Sequence, residues 1–486
     1  MGPRTRNWLV AGLGLVVSGV VASALAGSCS REETLPARNV VLIVIDTLRA
    51  DQTSIHGYAR DTTPFMAAWA GSDGQVFEWA RSTAPWTKPS VASMLTGLAP
   101  QEHQLTLHMQ TLPKSAPSLA EAFRASGFAT AAVQSNLLLA HEFGYDRGFD
   151  RYVDGVDTTL ATHDRSTGPA VNAAALEWLD GAGEHGRDRS KPFFLYVHHY
   201  EPHHNYLRDG SQWLTGYSGP LKGTETMDQL YPFAAQMTAA DVEFLRARYD
   251  AEIRYQDDLI RELVDGLRER GLLGNTAIAI TSDHGEEFKE HGDLSHQYKT
   301  YDELMHVPLV VVRPADLRKG ARIANPVSLV DLGRTLLDVA GQYQQPFPGQ
   351  SMIGLLEGVE ESPRAIVGHA STLPPGTSDL VEREMYVEGQ WKLVRNLRPG
   401  TKELYDLALD PREQRDLSAA FPDDVGRLER AFFTWKQGSE KRRLAGLPEN
   451  VRDTPELRER MANLGYLGGT PPPPRSESQP ESRSEE

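Results

Sequence analysis

Apolar runs and amphipathic segments alternate along most of the chain. Continuous apolar runs are typical of buried strands, and they predict strands at residues 39–45, 129–133, 192–198, 276–281 and 307–312. Apolar residues at helical spacing predict helices at residues 117–126, 170–179, 241–270 and 329–339. Strands that alternate with helices predict an α/β fold, in which a mixed, mostly parallel sheet is covered by helices on both faces.

The pattern changes after residue 345. Short strands are predicted near residues 384–387 and 391–394, and a helix near residues 425–435. We therefore predict a larger α/β domain over residues 38–345 and a smaller C-terminal α+β domain over residues 346–469. Residues 470–486 are rich in proline, serine and glutamate and have no apolar face, so they are predicted to be a disordered tail.

The first 29 residues have the layout of a targeting segment. Arg4 and Arg6 precede an uncharged, mostly apolar run of about 19 residues, and Cys29 follows it. We favour a lipoprotein-type signal with lipidation at Cys29, while a simply cleaved signal and an uncleaved membrane anchor remain alternatives. Each of them predicts that the folded part is extracytoplasmic, as a membrane-anchored lipoprotein or as a periplasmic or secreted protein.

Composition and charge exclude several classes of protein. Among 486 residues, 50 are Lys or Arg and 66 are Asp or Glu, which gives a formal net charge of −16. Nucleic-acid binding needs basic patches, so this balance argues against a nucleic-acid partner. The chain has a single cysteine, which excludes an internal disulfide and a cysteine-based zinc site.

Residues that bind metal ions follow three of the predicted strands. Asp46 comes after the first strand, Asp283 and His284 follow residues 276–281, and a histidine-rich stretch occupies residues 198–204. In open parallel sheets, ligands bind outside the carboxyl ends of the strands. Carboxylates and imidazoles that converge there predict a divalent metal site, and the ion could be Ca²⁺, Mg²⁺, Mn²⁺ or Zn²⁺.

Several segments, taken in order, resemble the sulfatase family of the alkaline phosphatase superfamily. Residues 39–51 are similar to its opening strand, residues 87–97 to the signature around its catalytic cysteine, and residues 282–286 to its second metal-binding segment. Residues 403–411 fit its C-terminal domain. The resemblance extends over about residues 38–470 and implies an alkaline phosphatase-like fold with a metal-dependent ester hydrolase activity.

The chain departs from the sulfatase pattern at its reactive centre. Thr87 stands where sulfatases carry the cysteine that becomes formylglycine, Val91 replaces an arginine, and Thr47 replaces an aspartate. The metal ligands that the resemblance still implies are Asp46, Thr87, Asp283 and His284. This set is similar to the metal site of superfamily phosphodiesterases and phosphotransferases, in which a threonine is the nucleophile. Residues 90–95 have helical spacing, so Thr87 is expected at a helix N-terminus that favours anions.

Further candidates follow from the same resemblance. His203 matches a substrate-contacting and catalytic histidine, and His296 a ligand or substrate histidine for which His291 is a less favoured competitor. Lys299 is a candidate for binding an anionic substrate, and Lys88 for a catalytic contact beside the nucleophile. His198, His199 and His204 are interpreted as packing or surface residues.

Two questions about the metal site stay open at this point. His203 and His296 could complete a second metal site, for which Glu201 and Glu286 are both possible carboxylates. The number of ions is therefore not predicted, and the oligomeric state is not predicted either.

The predicted function is metal-dependent cleavage of sulfate or phosphate esters. A formylglycine hydrate can release sulfate by breaking its own C–O bond, whereas a threonine sulfate would need water to attack sulfur. A phosphoryl centre accepts such a displacement, so Thr87 favours phosphoester chemistry. One alternative is a transferase that moves a phosphate-bearing headgroup to an envelope glycan or lipid. A second alternative is a non-catalytic binding protein of the same fold.

Overall fold

The structure is a computed structural model that describes residues 37–463, apart from residues 155–165, 182–185, 315, 360–361, 363 and 373–379. The predicted signal segment with Cys29 and the predicted tail at residues 470–486 lie outside the described residues. Within the described ranges, no helix is both long enough and apolar enough to cross a bilayer.

Strands and α-helices alternate along most of the described chain. The strands are β1 (Asn39–Ile45), β2 (Gly74–Arg81), β3 (Ala129–Gln134), β4 (Arg151–Val153), β5 (Phe193–His199), β6 (Thr276–Ser282), β7 (Glu287–Phe288), β8 (Leu294–Ser295), β9 (His306–Val312), β10 (Arg322–Ile323), β11 (Val327–Ser328), β12 (Ile366–Thr372), β13 (Val381–Glu388), β14 (Trp391–Asn396) and β15 (Lys402–Asp406). The α-helices are α1 (Pro64–Asp73), α2 (Thr87–Thr96), α3 (Pro100–His103), α4 (Leu119–Ala125), α5 (Gly168–Asp180), α6 (Met227–Phe233), α7 (Ala239–Glu269), α8 (Asp302–Met305), α9 (Leu332–Val339), α10 (Ile353–Leu356), α11 (Pro422–Ser439) and α12 (Pro455–Asn463).

The larger sheet has the predicted mixed, mostly parallel character. Among the described residues it contains nine strands in the order β10-β2-β9-β6-β1-β5-β3-β4, with β11 paired to β2. The central strand β1 pairs in parallel with β5 on one side and with β6 on the other. Strand β9 runs antiparallel to both β6 and β2. The carboxyl ends of β1, β5 and β6 therefore lie side by side at one edge of the sheet.

The composition of β1 explains why helices cover both faces of this sheet. All seven residues of the strand are buried, as expected for a strand with helices on both sides. Leu42 belongs to the apolar core on one face, together with Phe123 of α4. Ile43 belongs to the core on the other face, together with Ile253 and Ile260 of the long helix α7.

The C-terminal part forms the predicted smaller α+β unit. Strands β12 to β15 make an antiparallel sheet in chain order, and Leu428 and Phe432 of α11 are buried against it. A buried ion-pair network joins this sheet to the larger one. Asp302 in α8 lies 2.7 Å from the guanidinium of Arg81 in β2 and 2.8 Å from the ammonium of Lys392 in β14.

Candidate metal centre and nucleophile

Ligand-type side chains converge where β1 and β6 end. Asp46 directly follows β1, and Asp283 and His284 directly follow β6, and all three are fully buried. The candidate ligand atoms of these residues all lie within 4.8 Å of one another. The His284 Nε2 atom is 3.6 Å from Asp46 Oδ1 and 3.5 Å from Asp283 Oδ2. The structure thus brings together three of the four residues that the sequence predicted as metal ligands, and the fourth, Thr87, lies beside them.

The hydrogen bonding of this cluster fits a cation. Within the described part of the chain, the buried atoms Asp46 Oδ1 and Asp283 Oδ2 have no hydrogen-bond partner. Such carboxylate oxygens are costly to bury unless a positive charge compensates them. His284 Nδ1 lies 2.9 Å from the carbonyl oxygen of Gly285 and donates to it, which leaves Nε2 as the ligand atom. The set of two carboxylates and one imidazole suits a divalent ion.

The pKa shifts of the two buried carboxylates also favour a bound cation. Burial raises the pKa of Asp283 well above its usual value, and the neighbouring charge of Asp46 raises it further. Burial would also raise the pKa of Asp46, but the attraction of His203 and a hydrogen bond from His198 outweigh it and lower that pKa. Two adjacent buried carboxylates repel each other, and a bound cation would relieve that repulsion.

Thr87 lies at the beginning of a helix that faces this cluster. Helix α2 begins at Thr87, and Trp86 before it is extended, so Thr87 is not the residue that caps the helix. Its Oγ1 atom is 3.4 Å from His284 Nε2. The Ser90 hydroxyl donates a 2.6 Å hydrogen bond to the carbonyl oxygen of Asp283, which fixes the helix against the ligand loop. The free N–H groups at this helix end favour an anion.

Two residues of the site were not predicted from the sequence. Asn136 Nδ2 donates to Asp46 Oδ2 over 2.7 Å and lies 3.4 Å from Thr87 Oγ1. His198, expected to be a packing or surface residue, is fully buried with its Nε2 atom 3.3 Å from Asp46 Oδ2. Asn136 comes two residues after β3, and this position near a strand end is a signal in the sequence for it, although many polar loop residues share that position.

Three further imidazoles adjoin the carboxylates. The ring nitrogens of His203, His204 and His296 offer ligand atoms within 4.8 Å of one another, and we call these residues the histidine cluster. The ring centroids of His296 and His284 are 4.5 Å apart, so this cluster borders the candidate metal ligands. Burial lowers the pKa of His203 to about 4, and it lowers the pKa of His296 well below its usual value. His204, expected to be a packing or surface residue, is therefore part of the site region.

The two lysine candidates are held by other partners. The Lys299 ammonium lies 3.0 Å from Glu287 Oε1 and 2.8 Å from Asp293 Oδ2, within the loop that contains β7 and β8. The Lys88 ammonium binds the carbonyl oxygens of His108 and Gln110 and lies over the ring of Phe143. Both ammonium groups are thus held by protein partners among the described residues.

His291 and Glu201, the other candidates for the metal or substrate site, also have protein partners. The His291 Nδ1 atom is 2.6 Å from Glu303 Oε1, and its ring stacks on Tyr301 at 3.7 Å. Glu201 accepts a 2.6 Å hydrogen bond from the backbone N–H of Thr167. Glu286, the other possible carboxylate, lies 3.0 Å from His296 Nδ1 and so belongs to the site.

Known protein families and proteins match most of the chain. The family model described as "Sulfatase" matches residues 38–342, and the model "N-sulphoglucosamine sulphohydrolase, C-terminal" matches residues 289–423. Arylsulfatase K of Xenopus laevis is 25% identical over 443 residues, which cover 81% of this chain and 82% of that protein.

Solved structures show the same fold. The phosphonate monoester hydrolase of Agrobacterium radiobacter has a TM-score of 0.69 at 20% identity, and the match covers 83% of this chain and 96% of that one. A protein in complex with its substrate D-glucosamine-2-N,6-O-disulfate has a TM-score of 0.68 at 19% identity, with 84% and 99% coverage. The chain therefore belongs to the sulfatase family of ester-hydrolysing enzymes.

Proposed function

We propose that this enzyme hydrolyses phosphate esters, with Thr87 as the nucleophile and a divalent cation held by Asp46, Asp283 and His284. One observation carries the proposal: a threonine hydroxyl at a helix N-terminus lies 3.4 Å from a candidate metal ligand, beside two buried carboxylate oxygens that have no hydrogen-bond partner among the described residues. A threonine hydroxyl is a weak nucleophile and needs this kind of activation. When bound, the cation would favour the Thr87 alkoxide and offset negative charge on the ester.

The chain's own residues hold the nucleophile and receive the ester. Asn136 lies close to both Thr87 Oγ1 and Asp46, so its amide fixes their relative position. The beginning of helix α2 at Thr87 would favour an anionic group bound beside it. Only 1% of Thr87 is exposed, so bulk water is excluded from it. The electrostatic interactions around Thr87 are therefore stronger than they would be in water.

The reaction proceeds in two displacements. Thr87 loses its hydroxyl proton as its oxygen bonds to phosphorus, the ester O–P bond breaks, and the leaving alcohol takes up a proton. Water then attacks phosphorus, the bond between Thr87 and phosphorus breaks, and the hydroxyl is restored. The balance is one ester and one water consumed for one alcohol and one phosphate product.

The nucleophile favours phosphorus over sulfur as the reacting centre. A threonine ester has no C–O bond that can expel sulfate, so the covalent intermediate must be resolved by attack at the central atom. Phosphoryl transfer accepts in-line displacement, with charge spread over the equatorial oxygens. A phosphate monoester, as a dianion, also carries more negative charge than a sulfate monoester, and a divalent cation stabilises that charge more strongly.

Variants at Thr87 test the nucleophile. Thr87→Ala should lose aryl phosphate and aryl sulfate turnover together, whereas Thr87→Ser should keep part of the phosphate activity because it keeps a hydroxyl. Rapid quenching of the wild-type reaction, followed by peptide mass mapping, should show a phosphoryl group on Thr87. Full turnover by Thr87→Ala would exclude this residue as the nucleophile.

A variant at Asp283 tests the cation. Asp283→Asn should lower activity and metal content together, since it removes one of the two ligand carboxylates. Asp338→Asn, in α9, is a suitable control because Asp338 pairs with Arg334 away from the site. A purified Asp283→Asn enzyme with full turnover would remove the metal from the mechanism.

The main alternative is a transferase that moves a phosphate-bearing headgroup to an envelope acceptor. Thr87 would form the same covalent intermediate, and an acceptor hydroxyl would replace water in the second step. A hydrolase turns over simple aryl phosphates in buffer, whereas a transferase accumulates the intermediate until an acceptor is added. Rapid quenching with and without an acceptor therefore separates the two.

We also propose that the enzyme acts outside the cytoplasm and is attached to a membrane by a lipid at Cys29. The support is the basic start and the apolar run of the leading sequence. Cys29→Ser should then release the enzyme from the membrane fraction. Unchanged membrane retention, with the leader still present by mass spectrometry, would indicate an uncleaved anchor instead.

A further inference from the structure

The turn that follows Asp46 has an unusual backbone conformation. Thr47, the next residue, has a φ of 56°, in the left-handed region that β-branched residues rarely adopt. Thr47 is fully buried, and its own hydroxyl has no hydrogen-bond partner among the described residues. Its side chain therefore makes no hydrogen bond that would offset the backbone strain, and contacts from elsewhere must hold the turn.

A single hydroxyl from the long helix α7 holds this turn on both sides. Tyr249 donates a 2.6 Å hydrogen bond to the carbonyl oxygen of Thr47 and accepts one of 3.1 Å from the backbone N–H of Arg49. Tyr249 is fully buried, and its ring packs against Tyr206 and Phe288 with centroid distances of 5.6 and 5.1 Å. The apolar core thus fixes the position of the hydroxyl, and both of these hydrogen bonds go to the turn.

The same turn carries hydrogen bonds that join the two ligand loops. The Thr47 N–H donates to Asp283 Oδ1 over 3.3 Å, so that Oδ2 is the oxygen of this carboxylate without a hydrogen bond in the described part of the chain. The Leu48 N–H donates to the Ser282 hydroxyl over 2.9 Å, and that hydroxyl donates to the carbonyl oxygen of His284 over 2.6 Å. A displaced turn would therefore change the spacing of the candidate ligands on the two loops.

We propose that Tyr249 is a positioning residue for the metal site. Its hydroxyl keeps Thr47 in the left-handed conformation, and through this turn it keeps Asp46 and Asp283 at the spacing that a cation requires. The inference rests on the proposed function, because the ligand role of these carboxylates is proposed there. Without the hydroxyl, Thr47 relaxes toward a negative φ, and the N–H that holds Asp283 moves away.

Metal titration of the full-length enzyme tests the inference. Tyr249→Phe removes only the hydroxyl, and chelator-stripped protein with this change should bind Mn²⁺ about tenfold more weakly than wild type. Tyr217→Phe is the matched control, because the Tyr217 hydroxyl likewise donates to one group, Asp241 Oδ1, and accepts from one backbone N–H, that of Leu221. This control should bind Mn²⁺ as wild type does. A hydroxyl that only stabilised the fold would leave the Mn²⁺ affinity of the folded protein unchanged in both variants.

A second substitution tests whether the hydroxyl acts through the turn. Glycine adopts a positive φ without strain, so adding Thr47→Gly to Tyr249→Phe should return the Mn²⁺ affinity close to that of wild type. An equal loss of affinity with and without Thr47→Gly would show that the two residues act independently, and it would overturn the inference.

The outcomes separate this inference from the proposed function. Wild-type Mn²⁺ affinity in Tyr249→Phe overturns the inference, although the phosphoesterase activity stands. If the affinities are as expected but wild type hydrolyses no aryl phosphate, the inference stands and the proposed function fails. Should Tyr249→Phe not fold, the double variant with Thr47→Gly decides the question. Mn²⁺ affinity close to that of wild type in the double variant supports the inference, and weak binding contradicts it.

Discussion

The side-chain amide of Asn136 donates a 2.7 Å hydrogen bond to Asp46, the carboxylate that follows the central strand. This contact engages Asp46 Oδ2, so that Oδ1 is the atom directed toward His284. Asn136 is 1% exposed, and its own carbonyl oxygen accepts a hydrogen bond from the Leu138 backbone N–H. The residue therefore links the geometry of Asp46, a proposed metal ligand, to the loop after β3.

The first prediction concerns this hydrogen bond. Asn136→Ser should lower Mn²⁺ affinity and aryl phosphate turnover by about tenfold to a hundredfold, because partners of metal ligands have effects of that size. Serine still caps the turn at Leu138, so stability should change little. Asn136→Ala should lose the cap as well, at a further cost of about 1 kcal/mol. Metal titration and chemical unfolding of both variants measure the two effects, and wild-type metal affinity in Asn136→Ser would contradict the assignment.

The second prediction concerns the ion pairs between the two sheets. Lys392 is fully buried and lies 2.8 Å from both Asp302 and Glu413. Lys392→Met leaves these carboxylates buried with less compensation, and we expect the free energy of unfolding to fall by about 3 kcal/mol or more. The matched control is Lys402→Met, which removes a partly exposed pair with Glu429 and should cost at most about 1 kcal/mol. Equal losses of unfolding free energy in the two variants would show that the buried network stabilises the fold no more than a partly exposed ion pair does.

The third prediction is a pH dependence of stability. Burial raises the pKa of Glu252 from 4.5 to about 7, against the effect of its hydrogen bond from the Arg208 backbone, and nearby Glu201 raises it too. The folded protein therefore binds a proton at Glu252 more tightly than the unfolded chain does. The stability that this gives is complete below about pH 4.5 and is lost as the pH rises through about 7.

Glu252→Gln isolates that contribution, because the amide oxygen can still accept from Arg208. Between these pH values, the free energy of unfolding of wild type should fall relative to the variant, by at most about 1.4 kcal/mol per pH unit. Chemical unfolding at several pH values gives the difference. A difference that stays constant with pH would show that Glu252 is ionised in the folded protein.

The fold was predictable where the pattern of side chains is simple. The run that forms β1 is apolar and mostly β-branched, and its predicted bounds match the observed Asn39–Ile45. Strand β2 was not predicted because the polar residues Gln75 and Glu78 interrupt its apolar pattern, and its pairing with β9 shifts register between Phe77 and Ala80. The antiparallel direction of β9 was not predictable, since an apolar run fits a buried strand in either direction.

The convergence of candidate ligands was predictable because several residues of ligand type follow strands of one parallel sheet. Asp46 and Asp283 were found in this way, but Asn136 looks like any polar loop residue until the fold places it against Asp46. Lysine side chains are long and flexible, so position in the sequence does not fix where an ammonium lies. The sequence made Lys88 and Lys299 candidates for substrate contacts, but it could not show that backbone carbonyl oxygens and acidic side chains hold their ammonium groups.

Turnover of matched aryl phosphate and aryl sulfate esters with the same leaving group tests the proposed mechanism most directly. With Thr87 intact and the metal saturating, kcat/KM for the phosphate mono- or diester should exceed that for the sulfate by at least about tenfold, equal to about 1.4 kcal/mol in barrier. Thr87→Ala should abolish both activities in the same assay. A higher kcat/KM for the aryl sulfate with Thr87 intact would contradict the proposed mechanism.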